Sequence, residues 1–342
     1  MRKHKGLLLV PVFLVVFIII NSILNFILIP SCLTRVILHE LASSSDYKCV
    51  VLGTSHGAYG IDADIVSKES GKKTMNLCIG GEYLQDSYYL LKKVFETNHP
   101  DTIIFDMDYD YLFNIPRTTI SGSAIYNLYP FSLDKLFYFK DKAMGMEYRA
   151  ALFPWMDYRE NFSNSMNIIK TKLSSDYINY NADTVNMIAN NEYKGRGHIY
   201  RDRTDRTEKI DLVKFNEAGV DQASVEYFKK IVEMCNANNA KIIMITTPIS
   251  IEQINASFDD FDKAFTYLSK LATDNNIPYY NFNLVKDSVF SRSLQDYNIG
   301  HLYGDAAARY SVVLGQFAKD VEDGHVTLSD YFYDSIRDLK KK

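Results

Sequence analysis

The chain has 342 residues, and its 38 lysines and arginines against 42 aspartates and glutamates give a net charge of −4. That near-balance, with no long basic run, excludes nucleic acid as the main partner, because phosphate binding needs clustered cations. A hydrophobic share of 47% excludes an unfolded chain, and the irregularly spaced Cys32, Cys49, Cys78 and Cys235 form neither a disulfide framework nor a CxxC metal site.

Residues 1–6 carry Arg2, Lys3 and Lys5 and read as a cytosolic start, followed by an uncharged run at residues 7–29. At the helical rise that run reaches about 34 Å, enough to cross a hydrocarbon layer of about 30 Å. The basic cluster precedes the run and only Arg35 follows closely, so the positive-inside rule exports everything after it. A single-span, uncleaved anchor is therefore expected at the cell membrane. A cleaved signal peptide fits less well, because the run exceeds a usual h-region and no A-x-A-like site follows. Two other readings are a lipoprotein modified at Cys32, whose preceding Pro30 suits a lipidation box poorly, and a buried soluble helix. With the three leading cations held inside, 35 cations face 42 acids outside, a charge of −7.

After a stem at 30–46, apolar β-rich runs alternate with amphipathic helical patterns. Strands are expected at 47–52, 74–79, 102–107, 241–246 and 278–282, and helices at 63–69, 84–97, 222–238, 259–274 and 305–322. Strict alternation implies βαβ units, hence an α/β fold with a five-stranded parallel sheet between helical layers. Such a sheet places its chemistry at the carboxyl ends of its strands. The core is expected at 47–110 and 220–323. Residues 111–219 break the rhythm and read as a mostly helical insertion, either a cap over the strand ends or a packing elaboration. The tail at 324–342 carries Tyr331, Phe332 and Tyr333 and reads as a docking segment or a last helix.

The first strand runs into Gly53-Thr54-Ser55-His56-Gly57, which puts Ser55 where a strand ends and a helix begins. A serine so placed is raised like a nucleophile, although a plain Ser/Thr cap of a glycine-rich turn has the same local sequence. Near the other end of the core, His301 lies in the polar run Asp296-Tyr297-Asn298-Ile299-Gly300-His301, facing the same sheet edge. It is the best general base of the seven histidines: His4, His39, His99, His198 and His325 fall elsewhere, and the His56 side chain is expected to diverge from Ser55.

These residues together resemble the SGNH/GDSL hydrolase superfamily, which places its nucleophile after the first strand and its acid and base before the last helix. Gly53-Thr54-Ser55 stands where that family has Gly-Asp-Ser, and Asn76-Leu77-Cys78-Ile79-Gly80-Gly81 resembles its N-x-x-x-x-G block. His301-Leu302 followed by Gly304 resembles its histidine block. The resemblance implies a flavodoxin-like core, a covalent acyl-Ser55, and an oxyanion hole from the Ser55 and Gly81 N–H groups. It implies no cofactor and no metal. Two departures stand out. The third block falls near Asp108-Tyr109-Asp110-Tyr111, with Asp110 where the family has an oxyanion-binding Asn. The family's acid stands three before the histidine, where this chain has Asn298, while Asp296 lies five before. Asp296 is the favoured orienter of His301 and Asn298 the alternative.

In layout the chain is similar to the DltD-like branch of membrane-anchored envelope proteins, which implies an esterase or O-acyltransferase acting on acylated polysaccharide or teichoic acid, beside a multi-span acyltransferase. The rival is an inert SGNH-fold scaffold in an envelope acylation or export complex. Weaker signals remain. Residues 194–206 hold Lys194, Arg196, Arg201, Arg203 and Arg206 interleaved with acids, which favours a solvated surface over a phosphate-docking site. Asp106, Asp108 and Asp110 share a face without a histidine in register, which disfavours a metal. Asn161 and Asn255 sit in glycosylation sequons, relevant only in a eukaryotic secretory setting.

Overall fold

The structure, a computed structural model, describes residues 5–113, 120–145, 148–204, 210 and 212–341. Its strands, in chain order, are β1 (Cys49–Leu52), β2 (Thr74–Asn76), β3 (Thr102–Asp106), β4 (Asn191–Gly195), β5 (His198–Arg201), β6 (Lys241–Thr246), β7 (Tyr279–Asn281), β8 (Tyr297–Asn298) and β9 (His301–Leu302). Five of them form one parallel sheet in the order β2-β1-β3-β6-β7, with Val51 paired to both Asn76 and Ile104. That order reverses direction between β1 and β3, and the carboxyl ends of those two strands flank the crevice where such sheets place their chemistry.

Strand residues alternate between two covered faces, which is why the runs are apolar throughout. Cys49, Val51, Ile104, Ile243 and Ile245 share a core with Ala307, Leu314 and Phe317 of the last long helix, Gly304–Asp323. On the opposite face Phe105 stacks on Phe228 of Gln222–Ala237, ring centroids 5.8 Å apart. The helices begin where caps allow. Asp62 accepts from the N–H groups of Asp64 and Ile65 ahead of Ala63–Ser70, and Asp221 does the same for Ala223 and Ser224. The aromatic tail closes the core: Phe332 packs within 5.2 Å of Phe282 and 5.3 Å of Phe317 and bridges Val285.

The expected strands and helices are all present, with ends shifted by up to three residues. The region 111–219 is not helical throughout, because β4 and β5 form an antiparallel hairpin at 191–201. Two compact units divide the chain: Met1–Val36 with Ser123–Asn186, and Ile37–Gly122 with Met187–Lys342. The second holds the sheet. The first holds the apolar helix Lys5–Leu28 and the helices Leu133–Gly145, Pro154–Asn164 (a 3-10 segment) and Ser165–Lys172. One stretch of the first helix, Leu9–Leu28, is long and apolar enough to cross a membrane, with a mean hydropathy of 2.5. The leading Arg2 and Lys3, and Asp205, Arg206 and Glu208 of the basic stretch, lie outside the described residues.

Candidate active site

β1 ends at Leu52 and a short helix, Ser55–Gly60, starts at once, so Ser55 occupies the first helical position. Its N–H belongs to the first turn, whose donors have no acceptor within the helix. The turn is tight because its surroundings are close: a Cβ on Gly57 would lie 2.4 Å from Cys78 Sγ and 2.9 Å from Asp106 Oδ2. Asn76 ties this helix to β2, its amide donating to the carbonyls of Gly57 and Ile61 and its oxygen accepting from Cys78 N–H. The loop after β2 therefore runs beside the serine. A Cβ on Gly80 would sit 3.4 Å from Ser55 Cβ, and Gly81 follows with φ of 80°, a left-handed backbone that glycine adopts without steric cost.

His301 reaches Ser55 from the other end of the chain, its Nε2 lying 2.7 Å from Ser55 Oγ. Its Nδ1 is 2.9 Å from the Ile299 carbonyl, which can only accept. The proton is therefore on Nδ1, leaving Nε2 to accept from the serine hydroxyl. The ring is presented by a two-residue hairpin in which Asn298 pairs with His301 and Tyr297 with Leu302. Both loop residues, Ile299 at φ 50° and Gly300 at φ 76°, have the positive φ of the turn that matches strand twist. Glycine suits that conformation; a β-branched isoleucine is strained in it, typically by about 1–3 kcal/mol.

Neither expected orienter touches the imidazole through its side chain. The Asp296 carboxylate accepts from Arg203 Nη2 at 2.7 Å and Arg309 Nη2 at 3.0 Å. It anchors the base of the hairpin and leaves the ring nitrogen to a backbone carbonyl. Asn298 contributes its carbonyl, 3.1 Å from Arg201 Nη1. The assignment of Asp296 or Asn298 as partner of Nδ1 is thus corrected: two arginines outcompete one imidazole for the carboxylate, and the tight turn brings Ile299 O to Nδ1 instead.

Arg201 and Arg203 come from the stretch read as a solvated surface, and Arg309 from the helix Gly304–Asp323. Arg201, at the end of β5, lies 4.0 Å over the Tyr59 ring and donates to Asn191 Oδ1 at 3.1 Å. Tyr59 in turn meets the His301 ring edge-on at 5.1 Å. The β4–β5 hairpin braces the histidine.

His56, expected to point away, lies within the site. Its ring stacks on that of His301 with centroids 4.7 Å apart, and its Nδ1 is 2.6 Å from Asp108 Oδ2. Burial works against its charge, but the charge and hydrogen bond of Asp108 outweigh it, with Asp106 and Asp110 adding, and His56 is raised to about 9. His301 moves the other way. Burial first, then the charges of His56 and Arg201, lower it to about 3. At neutral pH the site thus holds one imidazolium and one neutral imidazole. Asp106, at the end of β3, is pushed up to about 6 by burial while accepting from Thr247 N–H at 2.8 Å. The signal for His56 was present in the sequence as a histidine next to the serine and an aspartate just past β3; only folding brings them together.

A pocket of about 50 Å³ adjoins His56, lined also by Asp106, Asp108, Thr247 and Gln253. Larger clefts of about 490 and 460 Å³ have Ile277 and Pro278 beside β7 in their walls, and neither is lined by Ser55, His56 or His301. Among the described residues no group of three or more His, Cys, Asp or Glu is arranged to hold a metal ion.

No family model matches the chain, and no curated protein does. Among solved structures it is similar to a candidate acylhydrolase from Bacteroides fragilis, with 11% identity, 86% of this chain and 97% of that one covered, and a TM-score of 0.39. It is similar to a GDSL-like lipase from Bacteroides thetaiotaomicron at 10% identity, 85% and 98% coverage, and a TM-score of 0.38. Superpositions this loose carry no activity across.

Proposed function

We propose that the chain is a serine esterase or O-acyltransferase of SGNH type. The carrying observation is the 2.7 Å contact between His301 Nε2 and Ser55 Oγ, with Nδ1 held in the matching tautomer. Ser55 Oγ attacks the acyl carbonyl while its proton passes to Nε2, and the imidazolium then returns that proton to the leaving alkoxide. Water or a sugar hydroxyl takes the acyl group in the second half-reaction. The N–H groups of Ser55 and Gly81 are assigned to the oxyanion, and the positive charge of His56 stands in for the family's missing Asn. The Asp108 carboxylate sits against that cation, 2.6 Å from His56 Nδ1, so its own charge is balanced locally.

Acyl groups on envelope polysaccharide or teichoic acid are the proposed substrates, with the N-terminal helix as an uncleaved anchor and the sheet domain on the extracytoplasmic side. This finer reading is supported by the sequence resemblance and by the basic residues ahead of the apolar run. An inert scaffold is favoured by one observation: His301 Nδ1 is held by the Ile299 carbonyl and not by a carboxylate. A fluorophosphonate probe separates the two. Labelling of wild type and not of Ser55→Ala supports the enzyme; a wild type that stays unlabelled supports the scaffold.

A further inference from the structure

Within the unit formed by Met1–Val36 and Ser123–Asn186, the apolar helix is bare along one part and clad along another. Residues 9–20 are all exposed, whereas the stretch from Asn21 to Leu28 is gripped by later residues. Trp155 donates from its indole to Asn21 Oδ1 at 2.8 Å and from its backbone to Asn25 Oδ1 at 3.0 Å. Asn161 donates to the Leu28 carbonyl at 3.1 Å, and Lys172 Nζ to the carbonyls of Asn25 and Phe26 at 3.2 and 2.7 Å. Phe153 reaches further along the helix, edge-on to Phe17 with centroids 5.7 Å apart.

Length turns this grip into a statement about the membrane. Counted from Leu7, the stretch to Ile20 covers about 21 Å at 1.5 Å per residue, short of a hydrocarbon layer of about 30 Å. The clad stretch from Asn21 to Leu28 adds about 12 Å and completes the crossing. If it is at bilayer depth, so are the side chains that hold it.

The same unit carries an unmatched apolar face. On the helix Leu133–Gly145, Leu133, Leu136 and Phe137 are exposed at i, i+3 and i+4, with Phe131 88% exposed just ahead, while Tyr138 on the other side is buried against Tyr126 and Tyr129. A face of this composition, in the same unit as the apolar helix, suits acyl chains and the headgroup boundary, where tryptophan also partitions.

We infer that residues 123–145 and 148–186 form a collar embedded in the extracytoplasmic leaflet around the base of the N-terminal helix, with Leu133, Leu136 and Phe137 in contact with lipid. The inference rests on the anchor reading given under the proposed function. It is tested on the full chain in vesicles of phosphatidylcholine and phosphatidylglycerol, using Trp155, the single tryptophan, and a Leu136→Trp reporter carried on Trp155→Phe. Both tryptophans are expected to lose at least half their emission in vesicles containing 6,7-dibrominated phosphatidylcholine. Emission from either that is unchanged by bromine and quenched by aqueous acrylamide overturns the collar. A Leu136→Trp reporter reached by neither bromine nor acrylamide, as when a second copy or an integral protein covers that face, overturns the collar equally. Alkaline carbonate extraction in parallel isolates the cause of failure: a chain released by carbonate removes the anchor reading and the collar together, while a retained chain with unquenched tryptophan removes the collar alone.

Discussion

His56 and His301 lie face to face, with ring centroids 4.7 Å apart and planes 16° from parallel. Two stacked imidazoles resist carrying two charges, and Asp108, 2.6 Å from His56 Nδ1, decides which of them is protonated. Replacing Asp108 by Asn removes that bias. Histidine NMR titration should show His56 falling from about 9 and His301 rising from about 3 in the Asp108→Asn variant. Unchanged titrations would mean that the stack does not couple the two rings.

The same shifts predict the pH profile. His301 stays neutral, and able to accept the serine proton, from about 3 upward, while His56 keeps its charge up to about 9. His301 should therefore contribute no inflection near the ordinary histidine value of about 6.5, and ester hydrolysis should decline on the alkaline side near 9. Stability follows with opposite signs. His56, raised on folding, stabilises fully below about 6.5, a contribution lost as pH rises through 9. His301, depressed on folding, costs stability as pH falls from about 6.5 towards 3. Urea midpoints measured between pH 4 and pH 10 check both directions.

Asp296 separates this site from a conventional triad. Its carboxylate is held by Arg203 and Arg309, not by His301. Asp296→Ala should lower stability by about 1 kcal/mol, since both arginines are half-exposed and keep Asp305 as a partner. Fluorophosphonate labelling should change by less than about tenfold, against about 10⁴ in rate where an aspartate holds the catalytic histidine. A loss of that larger size would restore Asp296 to the imidazole.

Ile299 supplies its carbonyl, not its side chain, to His301. An Ile299→Asn substitution suits the positive φ of 50° and should raise stability by about 1 kcal/mol in denaturant melts, with labelling retained. A destabilised variant would show that the isoleucine side chain makes a contact worth more than the backbone strain.

Gly57 sits where the helix carrying Ser55 meets Cys78 and Asp106. A Gly57→Ala methyl would fall 2.4 Å from Cys78 Sγ, so overpacking should cost about 1–3 kcal/mol and push the serine turn off β3. Thermal melts and probe labelling should fall together; a stable variant with full labelling would show that the Cys78 side chain moves aside freely.

Much of this was legible in the chain. Apolar runs such as Ile103 to Phe105 and the 3.6-residue pattern of Gln222–Ala237 mark strand and helix directly, because burial on two faces or one is written into local periodicity. Ser55 and His301 could be placed at one sheet edge for the same reason, since parallel strands send their following loops to the same side. The β4–β5 hairpin was missed because β4 alternates between half-buried and exposed positions and β5 buries only His198, so neither carries much apolar signal.

Which charge meets which was settled by tertiary structure alone. Asp108 lies 52 residues from His56, and Arg203 lies 93 from Asp296. In both pairs the chain between folds away before the partners meet. Spacing along the sequence made Asp296 the nearest carboxylate ahead of His301, yet an electrostatic partner is chosen by distance in space and by competing charges, which local pattern does not encode. The sequence by itself determined the layers, the edge and the serine and histidine that meet there; the fold decided that a strained backbone carbonyl orients the histidine and that a second histidine stacks on it.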